Sequence, residues 1–411
     1  MSQVQLLQQD ARQVPVRDVS VHLVVTSPPY YSLRDYGESN QIGLEKQHDC
    51  LGWATGNRCG NQCYICVMVA VFTECYRILR NDGVMFVIVG DSYAGYHGNK
   101  QVADMDAPSN KPGYIENMRD SSLVKSGRLK PKDLCGIPQR LALALQAAGW
   151  TWRSEIIWSK GNAFPESVTD RPTKSHEQIL MFTKQARYFW NQEAVREPYQ
   201  ETTGGVIIGR GVHGSSQARG NDLSNSGGYP QTQTGRNLRD VWHLNSEPTS
   251  HAHYATFPTE LVSRCIRAGS PETCCGSCGK GWQRVVERET SDWQRRKESG
   301  EPIRYGLASA ASYGIGNFKP RQQLSSTLEP ACSCSPDPVP SLVYDPFLGS
   351  GTTVLVARQL RRHGIGGDLS AAYLAIARER LGLKALAAWE GRAQVAPEPV
   401  LVDGLPLFQG L

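Results

Sequence analysis

Uninterrupted apolar runs alternate with stretches of helical spacing along the first part of the chain. Residues 21–25 and 84–89 are almost entirely apolar, which is typical of short strands buried on both faces. Between them, apolar side chains recur every three or four residues over 67–79, and this spacing predicts a helix. The sequence Asn81-Asp82-Gly83 is expected to end that helix, because glycine commonly follows a last helical turn.

The same alternation continues to about residue 370. The pattern predicts helices over 141–148, 257–266 and 353–360, and strands over 152–158, 178–183, 341–344 and 364–368. Strands alternating with helices favour an α/β fold with a mostly parallel sheet flanked by helices. Polar stretches at 95–135 and 160–176 are predicted to be loops.

The motif Ser27-Pro28-Pro29-Tyr30, preceded by Thr26, follows the first predicted strand. Two prolines cannot continue a strand ladder, so the chain must leave the sheet at a strand's carboxyl end. Open α/β sheets bind ligands at that edge. The serine offers an oxygen acceptor, the proline carbonyls are expected to be free of helix and sheet bonds, and the tyrosine offers a flat ring. Such a loop suits a planar ring that bears an amine, and a simple strand-ending turn is the alternative.

A second motif runs from Asp345 to Thr353 between a predicted strand and helix. Its two glycines, Gly349 and Gly351, allow a ligand to approach the backbone closely. Asp368 ends the next strand, where an acid can accept hydrogen bonds from ribose hydroxyls. The turn has neither a G-x-G-x-x-G order nor a phosphate-binding lysine, which excludes a dinucleotide fingerprint and a P-loop. An adenosine-bearing cofactor fits this pattern, and a structural βα turn is the alternative.

Both motifs resemble those of DNA amino-methyltransferases, which methylate an exocyclic amine of a base from S-adenosylmethionine. The catalytic motif precedes the cofactor loop, as in the circularly permuted β arrangement of that family, and the resemblance covers most of 16–90, 137–190 and 240–385. It implies a Rossmann-like methyltransferase fold. It also implies that the catalytic residues are Ser27, Pro28, Pro29 and Tyr30, and that the cofactor is bound by Thr26, Asp91, Phe257, Pro258, Asp345, Pro346, Phe347, Gly349, Ser350, Gly351, Thr352, Thr353 and Asp368. For Asp91, a helix cap is the alternative role.

The resemblance also bears on the target. In the family, serine at the position of Ser27 usually accompanies methylation of cytosine N4, whereas Asp or Asn accompanies adenine N6. Cytosine N4 is therefore favoured, and adenine N6 and a non-DNA amide or an RNA amine stay open. A catalytically inactive, zinc-containing nucleic-acid-binding protein is the alternative from another class. The implied partners are double-stranded DNA, a second copy in a homodimer and a cognate restriction nuclease.

Composition divides the chain further. We expect a catalytic half at 1–199 with an insertion at 46–66, a cofactor-binding half at 241–385 with a cysteine-rich insertion at 270–338, and a tail at 386–411. Gly, Ser, Asn, Gln and Thr dominate 200–237, a composition that cannot bury its own core. Residues 200–240 are interpreted either as a disordered linker or as a target-recognition segment that orders on DNA.

The 12 cysteines are clustered in the sequence. Cys275 and Cys278 form a C-x-x-C pair, and Cys332 and Cys334 form a second pair, so together they predict a four-thiolate zinc site. Cys274 could replace the adjacent Cys275 as a zinc ligand. A looser group offers a second zinc site, and its members are Cys50, Cys59, Cys63 and Cys66. Reduced structural thiols are the alternative for both groups.

Overall composition excludes several classes of protein. The 411 residues are 40% hydrophobic and 20% charged, which indicates a globular chain rather than a disordered or fibrous one. No apolar run approaches the roughly 20 residues that a membrane span needs, and the first ten residues lack a signal-peptide core. A cytoplasmic location is expected, and the formal charge of +5 is compatible with a polyanionic partner.

Overall fold

The computed structural model describes residues 2–31, 38–45, 50, 52, 59, 63–94, 129–130, 132–198, 236–247, 257–288, 323–334 and 337–383. The chain forms two compact units. The first comprises Met1–Asn191, Arg239–Gly281 and Cys332–Leu411, and the second comprises Gln192–Leu238 and Trp282–Ala331. Among the residues that the structure describes, no helix has both the length and the apolar content to cross a membrane.

Twelve strands occur among the described residues. They are β1 (Val4–Gln8), β2 (Val21–Thr26), β3 (Leu79–Val89), β4 (Thr151–Ser159), β5 (His176–Thr183), β6 (Val241–His243), β7 (Thr273–Cys275), β8 (Gln283–Arg288), β9 (Gln323–Glu329), β10 (Pro338–Pro340), β11 (Leu342–Asp345) and β12 (His363–Asp368). Eight of them form the central sheet of the first unit, in the order β1-β12-β11-β2-β3-β5-β4-β6.

The central sheet is mostly parallel, as predicted. Strands β1, β12, β11, β2 and β3 pair in parallel, as do β4 and β6, whereas β5 is antiparallel to both of its neighbours. All six residues of β2 are buried, which explains its continuous apolar run. Because β2 lies between β11 and β3, the two sequence motifs leave the sheet at adjacent strand ends.

Five helices of the first unit lie among the residues that the structure describes. They are α1 (Tyr64–Ile78), α2 (Ile137–Ala147), α3 (Thr259–Gly269), α4 (Thr352–Gln359) and α5 (Ala371–Arg380). Helix α3 shows why these segments are helical, since Leu261, Val262, Cys265 and Ile266 form one buried stripe while Glu260 and Arg267 occupy its first and last turns. At its end, Gly269 packs so closely on β2 that a Cβ atom would lie 2.9 Å from the Leu23 side chain.

The prediction for Asn81-Asp82-Gly83 is wrong. Helix α1 ends at Ile78, and these three residues belong to β3, which begins at Leu79 without an intervening turn. The glycine marks a close approach instead, because a Cβ atom at Gly83 would lie 2.7 Å from the Leu79 side chain. The pairing register between β2 and β3 shifts in the same region.

Several elements were not predicted from the sequence. Strand β1 lies at the sheet edge and pairs with β12, and its residues are mostly half-buried rather than apolar on one clear face. Strand β6 has three residues, and helix α5 buries only Leu374 and Ala377. Short or weakly amphipathic elements give little periodic signal, so their positions depend on contacts with the rest of the sheet.

The second unit contains the antiparallel pair of strands β8 and β9, a short 3-10 helix at Glu193–Val195 and an isolated β-bridge between Glu197 and Arg236. Most of the predicted recognition segment 200–240 lies outside the described residues, as do the tail 386–411, the centre of the 95–135 loop and much of the 46–66 insertion. The domain boundaries expected from composition remain predictions.

Candidate active site

A cavity of about 910 Å³ opens at the carboxyl ends of the central strands of the first unit. Both sequence motifs line it, with Ser27 to Tyr30 on one side and Pro346 to Ser350 on the other. The loop that follows β4 and the residues that follow β1 and β12 complete the walls. The two motifs are therefore parts of one site, in the place that an open α/β sheet provides for ligands.

Asp345 connects the two motifs. Its carboxylate is fully buried and accepts hydrogen bonds from the hydroxyls of Thr26 and Thr353, each at 2.7 Å, and from the backbone N–H of Phe347 at 3.0 Å. Burial raises the pKa of Asp345 to about 6, and the hydrogen bonds from Thr26 and Thr353 oppose that increase. One side chain thus fixes the end of β2, the cofactor loop and the start of α4.

The loop that carries the predicted catalytic motif, residues 27–30, is called the catalytic loop below, and it is held from two directions. The Tyr64 hydroxyl donates to the Pro29 carbonyl at 2.7 Å, so a side chain occupies this carbonyl. The Tyr30 hydroxyl donates to Glu177 Oε2 on β5 at 2.6 Å, and Lys160 Nζ donates to the other oxygen of the same carboxylate. The loop is therefore positioned before any ligand enters.

The Tyr30 ring packs against the backbone where β3 ends. A Cβ atom at Gly90 would lie 2.7 Å from a ring carbon, so only glycine leaves room for the ring there. Burial, with the nearby Glu177 carboxylate, raises the pKa of the Tyr30 hydroxyl. The neighbouring Ser27 side chain lowers this pKa and so opposes that increase. Tyr30, Glu177 and Lys160 form one hydrogen-bonded group, and Ser27 lies beside it.

The cofactor loop has the left-handed backbone that its glycines allow. Gly349 and Gly351 have φ angles of 52° and 85°, a region that favours residues without a Cβ atom. Arg380 on α5 braces this turn by donating to the Ser350 hydroxyl at 2.9 Å and to the Thr352 hydroxyl at 2.7 Å. Both hydroxyls therefore help to hold the loop rather than standing free.

Asp368 lies at the end of β12, opposite the glycine turn. Its carboxylate accepts hydrogen bonds from the backbone N–H of Gly349 at 2.8 Å and of Ser370 at 2.9 Å. Burial raises its pKa. Each carboxylate oxygen has two lone pairs, so both can accept a further hydrogen bond from a ligand in the cavity.

Comparison with known proteins agrees with this geometry. The model of the N6_N4_Mtase family, described as DNA methylase, matches residues 21–276 and 325–379, which include both motifs. The chain belongs to this DNA methylase family. The unmatched residues 277–324 fall in the region that the sequence predicts to be an insertion.

Three curated relatives extend the comparison. The chain is 34% identical to the type II methyltransferase M.XycI of Xanthomonas campestris pv. cyanopsidis over 363 residues, which are 88% of this chain and 81% of the relative. It is 30% identical to M.SmaI of Serratia marcescens over 364 residues, covering 87% and 83%. It is 39% identical to M.Cfr9I of Citrobacter freundii over 251 residues, covering 61% and 67%.

Most residues assigned by the resemblance come together at the cavity. Its walls include Ser27, Pro28, Pro29, Tyr30, Phe257, Pro346, Phe347, Gly349, Ser350, Thr352 and Asp368. Thr26 and Thr353 lie behind the wall, where they hydrogen-bond to the buried Asp345. Gly351 has the second left-handed backbone conformation of the cofactor loop, and Pro258 is the N-cap residue of α3.

Asp91 is placed elsewhere. Its carboxylate accepts hydrogen bonds from the backbone N–H groups of Gly136 and Ile137, both at 3.0 Å, at the N-terminus of α2. It is not among the cavity-lining residues that the structure describes. The helix-cap alternative accounts for these contacts. An acid after a strand gives the same sequence signal in either role, and only the fold shows which backbone N–H groups it meets.

The sequence did not point to several residues of the cavity. Lys160, Lys174 and Glu177 are charged groups in or next to predicted loops, and no spacing separates them from ordinary surface residues. Phe164 is 90% exposed on the rim of the cavity. The sequence marks this residue only as an aromatic side chain inside a polar loop. Near it in that loop, Asn162 exchanges two hydrogen bonds with the Ser246 backbone.

S-adenosylmethionine, the methyl donor that the resemblance implies, fits the residues present. The cavity volume lies in the range of ligand sites, the Asp368 carboxylate can accept from ribose hydroxyls, and Phe257 and Phe347 give apolar surface for a purine ring. The left-handed turn at Gly349 leaves the backbone open to close approach, since no atom lies within 4 Å of an added Cβ.

Two groups of four cysteines are also brought together within the described part of the chain. The sulfur atoms of Cys275, Cys278, Cys332 and Cys334 lie within 4.8 Å of one another, and so do those of Cys50, Cys59, Cys63 and Cys66. Cys274 is not part of either group, because its thiol is buried and contacts the Val339 carbonyl at 3.3 Å. All 12 cysteines are free thiols.

Proposed function

We propose that this chain is a site-specific methyltransferase that transfers a methyl group from S-adenosylmethionine to N4 of a cytosine in double-stranded DNA. The observation that supports it best is the single cavity lined by both motifs, whose two halves are joined through Asp345. Methyl transfer needs donor and acceptor aligned in one enclosed space, and this arrangement provides that space.

The polar group around Ser27 supplies the chemistry at the base. In the proposed arrangement the Ser27 hydroxyl donates to the Tyr30 oxygen, whose own hydroxyl donates to the Glu177 carboxylate. Donation in this direction leaves the Ser27 oxygen as an acceptor and increases its negative partial charge. A Ser27 oxygen and the Pro28 carbonyl that accept the N–H bonds of an aromatic amine draw its nitrogen towards sp³ geometry, which makes its lone pair available.

When bound, S-adenosylmethionine supplies an electrophilic methyl group, whose bond to sulfur breaks as the amine nitrogen bonds to it. The amine then loses one proton. Glu177 is occupied by donors from Tyr30 and Lys160, which supports loss of the proton to water rather than to this carboxylate. The proposed role of the Tyr30 ring is to stack on a base extruded from the duplex, since the reacting amine is inaccessible within paired DNA.

The proposal extends to the surfaces that meet DNA. Lys160 and Lys174 line the cavity, and Phe164 projects from its rim. Residues 200–240 are proposed to contribute to target recognition through arginine and amide side chains, which suit phosphates and base edges. The relatives are named type II methyltransferases, which supports a partner restriction nuclease for this chain.

Adenine N6 is the rival target within the same enzyme class. The preference for cytosine rests on the serine at position 27, because a neutral hydroxyl occupies the place where an acid or amide usually accompanies adenine. The intact polar group around Ser27 and the intact cofactor turn also argue against an inactive, zinc-containing DNA-binding protein.

The deciding experiment is direct. The purified chain is incubated with duplex DNA of mixed sequence and isotope-labelled S-adenosylmethionine, and the nucleosides are separated by mass spectrometry. We expect labelled N4-methylcytosine, and at least tenfold less label with Ser27→Ala. Labelled N6-methyladenine alone would reject the target base, and cofactor binding without any methylated nucleoside would favour the inactive alternative.

A further inference from the structure

We infer that the chain holds two structural zinc ions, and that only one of them supports the catalytic loop. The N-terminal cluster is Cys50, Cys59, Cys63 and Cys66, and the C-terminal cluster is Cys275, Cys278, Cys332 and Cys334. Four thiolates around one zinc ion at 2.3 Å stand roughly 3.8 Å apart. Within each cluster the sulfurs lie within 4.8 Å of one another, and Cys50 and Cys66 are 3.9 Å apart. Both clusters thus have the ligand number and approximate spacing of a closed structural site.

The C-terminal cluster has a backbone already arranged for metal. The N–H of Cys278 donates to the Cys275 sulfur at 3.3 Å, and the N–H of Gly279 donates to the Cys275 carbonyl at 2.8 Å. Gly279 adopts a φ of +68°, which lets the chain turn back to Lys280. An N–H group that donates to sulfur stabilises a thiolate and orients it as a ligand. This turn therefore favours the deprotonated, metal-bound form.

The N-terminal cluster lies at the start of α1. Cys63 is the N-cap residue of that helix and Cys66 lies in its first turn, and the structure gives Cys63 no side-chain capping bond. Zinc with four thiolates carries a net charge of −2, which the positive end of a helix dipole stabilises. The metal would thus complete the helix start that the sequence leaves without a polar cap.

That helix start leads directly to the active site. Tyr64, the first residue of α1, donates its hydroxyl to the Pro29 carbonyl at 2.7 Å, and its ring lies 5.4 Å from that of Tyr31. An ion that fixes Cys63 also fixes Tyr64, and through it the catalytic loop. This part of the inference rests on the proposed function, whereas the metal content does not.

The C-terminal cluster is anchored at the other end of β2. The backbone N–H of Leu342 donates to His22 Nδ1, so the opposite ring nitrogen carries the proton and donates to the Gly279 carbonyl at 2.7 Å. Arg80 Nη1 donates to the Cys278 carbonyl at 2.8 Å. His22 precedes Ser27 by five strand positions, a distance of roughly 16 Å. We therefore expect this ion to stabilise the fold without touching the catalytic loop.

The test uses the full chain, purified without chelators. Elemental analysis should give two zinc ions per chain. Cys66→Ser and Cys278→Ser should each lose one ion, whereas Cys274→Ser is the matched control, because its thiol faces the core, and should keep both. Cys66→Ser should lower turnover at least tenfold, and Cys278→Ser should lower the midpoint of urea unfolding with turnover nearly unchanged.

A second measurement needs no variant to fold. Titrating wild-type protein with a mercurial reagent in the presence of a zinc-sensitive dye should release both ions as eight thiols react. Absence of zinc, or iron detected by its absorbance, would overturn the metal assignment. Equal losses of turnover in Cys66→Ser and Cys278→Ser would overturn the division of roles. If wild-type protein binds two zinc ions but methylates no DNA, the proposed function fails while the metal sites stand.

Discussion

Replacing Asp345 by asparagine should make folding stability less dependent on pH. The buried carboxyl has a pKa of about 6, against 3.8 for an exposed aspartate. Because the pKa in the folded state is the higher one, this group's contribution to stability is fully present below about 3.8 and is lost as pH rises through about 6. The difference of about 2 pKa units corresponds to roughly 3 kcal/mol.

Asparagine keeps the shape of the side chain and has no ionisable group in this pH range. The hydroxyl of Thr353 already lies 3.3 Å from the Val25 carbonyl and can donate there when the amide N–H₂ takes the place of one carboxylate oxygen. The free energy of unfolding of Asp345→Asn, relative to wild type, should therefore rise by up to about 3 kcal/mol between pH 4 and pH 7. Urea unfolding followed by circular dichroism at several pH values measures this difference.

Alanine at the same position tests the hydrogen bonds instead. Asp345→Ala leaves two hydroxyls and the Phe347 N–H without the partner they have in wild type, at about 1–3 kcal/mol for each buried donor left unsatisfied. We expect a strongly destabilised protein. Parallel stability curves for wild type and Asp345→Asn across this pH range would refute the pKa assigned to Asp345. An alanine variant as stable as wild type would refute the role of its hydrogen bonds in joining the two motifs.

Three further predictions concern the cavity. Ser27→Ala and Tyr30→Phe should each lower turnover at least tenfold, which corresponds to about 1.4 kcal/mol in the activation barrier, because both remove a member of the polar group proposed to polarise the Ser27 oxygen. An unchanged rate in single-turnover kinetics would contradict that role. Asp368→Ala should weaken binding of S-adenosylmethionine, since the carboxylate faces the cavity and also holds the Gly349 N–H, and calorimetry with unaltered affinity in a folded variant would reject it. Phe164→Ala should raise KM for DNA several-fold without changing cofactor affinity, whereas Leu143→Ala, a 46% exposed control on α2, should change neither.

Sequence patterns recovered the parts of the fold that carry strong local signals. The buried run of β2 and the proline pair after it marked one loop that lines the cavity, and the glycines at 349 and 351 marked the turn on its other side. The family match confirms the enzyme family that these motifs implied. In each case the physical requirement falls on consecutive residues, so the sequence alone displays it.

The sequence could not show which partners a polar residue meets. Asp345 reads as a cofactor ligand, yet its carboxylate is fully buried between two threonines. Glu177 carries no motif, and it matters because β5 places it within 2.6 Å of the Tyr30 hydroxyl. Likewise, only the direction of the Cys274 side chain separates it from its neighbour Cys275 as a ligand. Pairing across strands decides these roles.

The order of strands in the sheet has a consequence for synthesis in the cell. Strand β1 begins at Val4 and pairs with β12, and β2 pairs with β11, so the sheet joins segments separated by more than 300 residues. A growing chain therefore carries its catalytic loop long before the strands that hold the cofactor turn exist. Contacts of such long range form late and slowly. A nascent or truncated chain that ends before β11 has no complete site, so host DNA meets methylating activity only after nearly the whole sheet has been made.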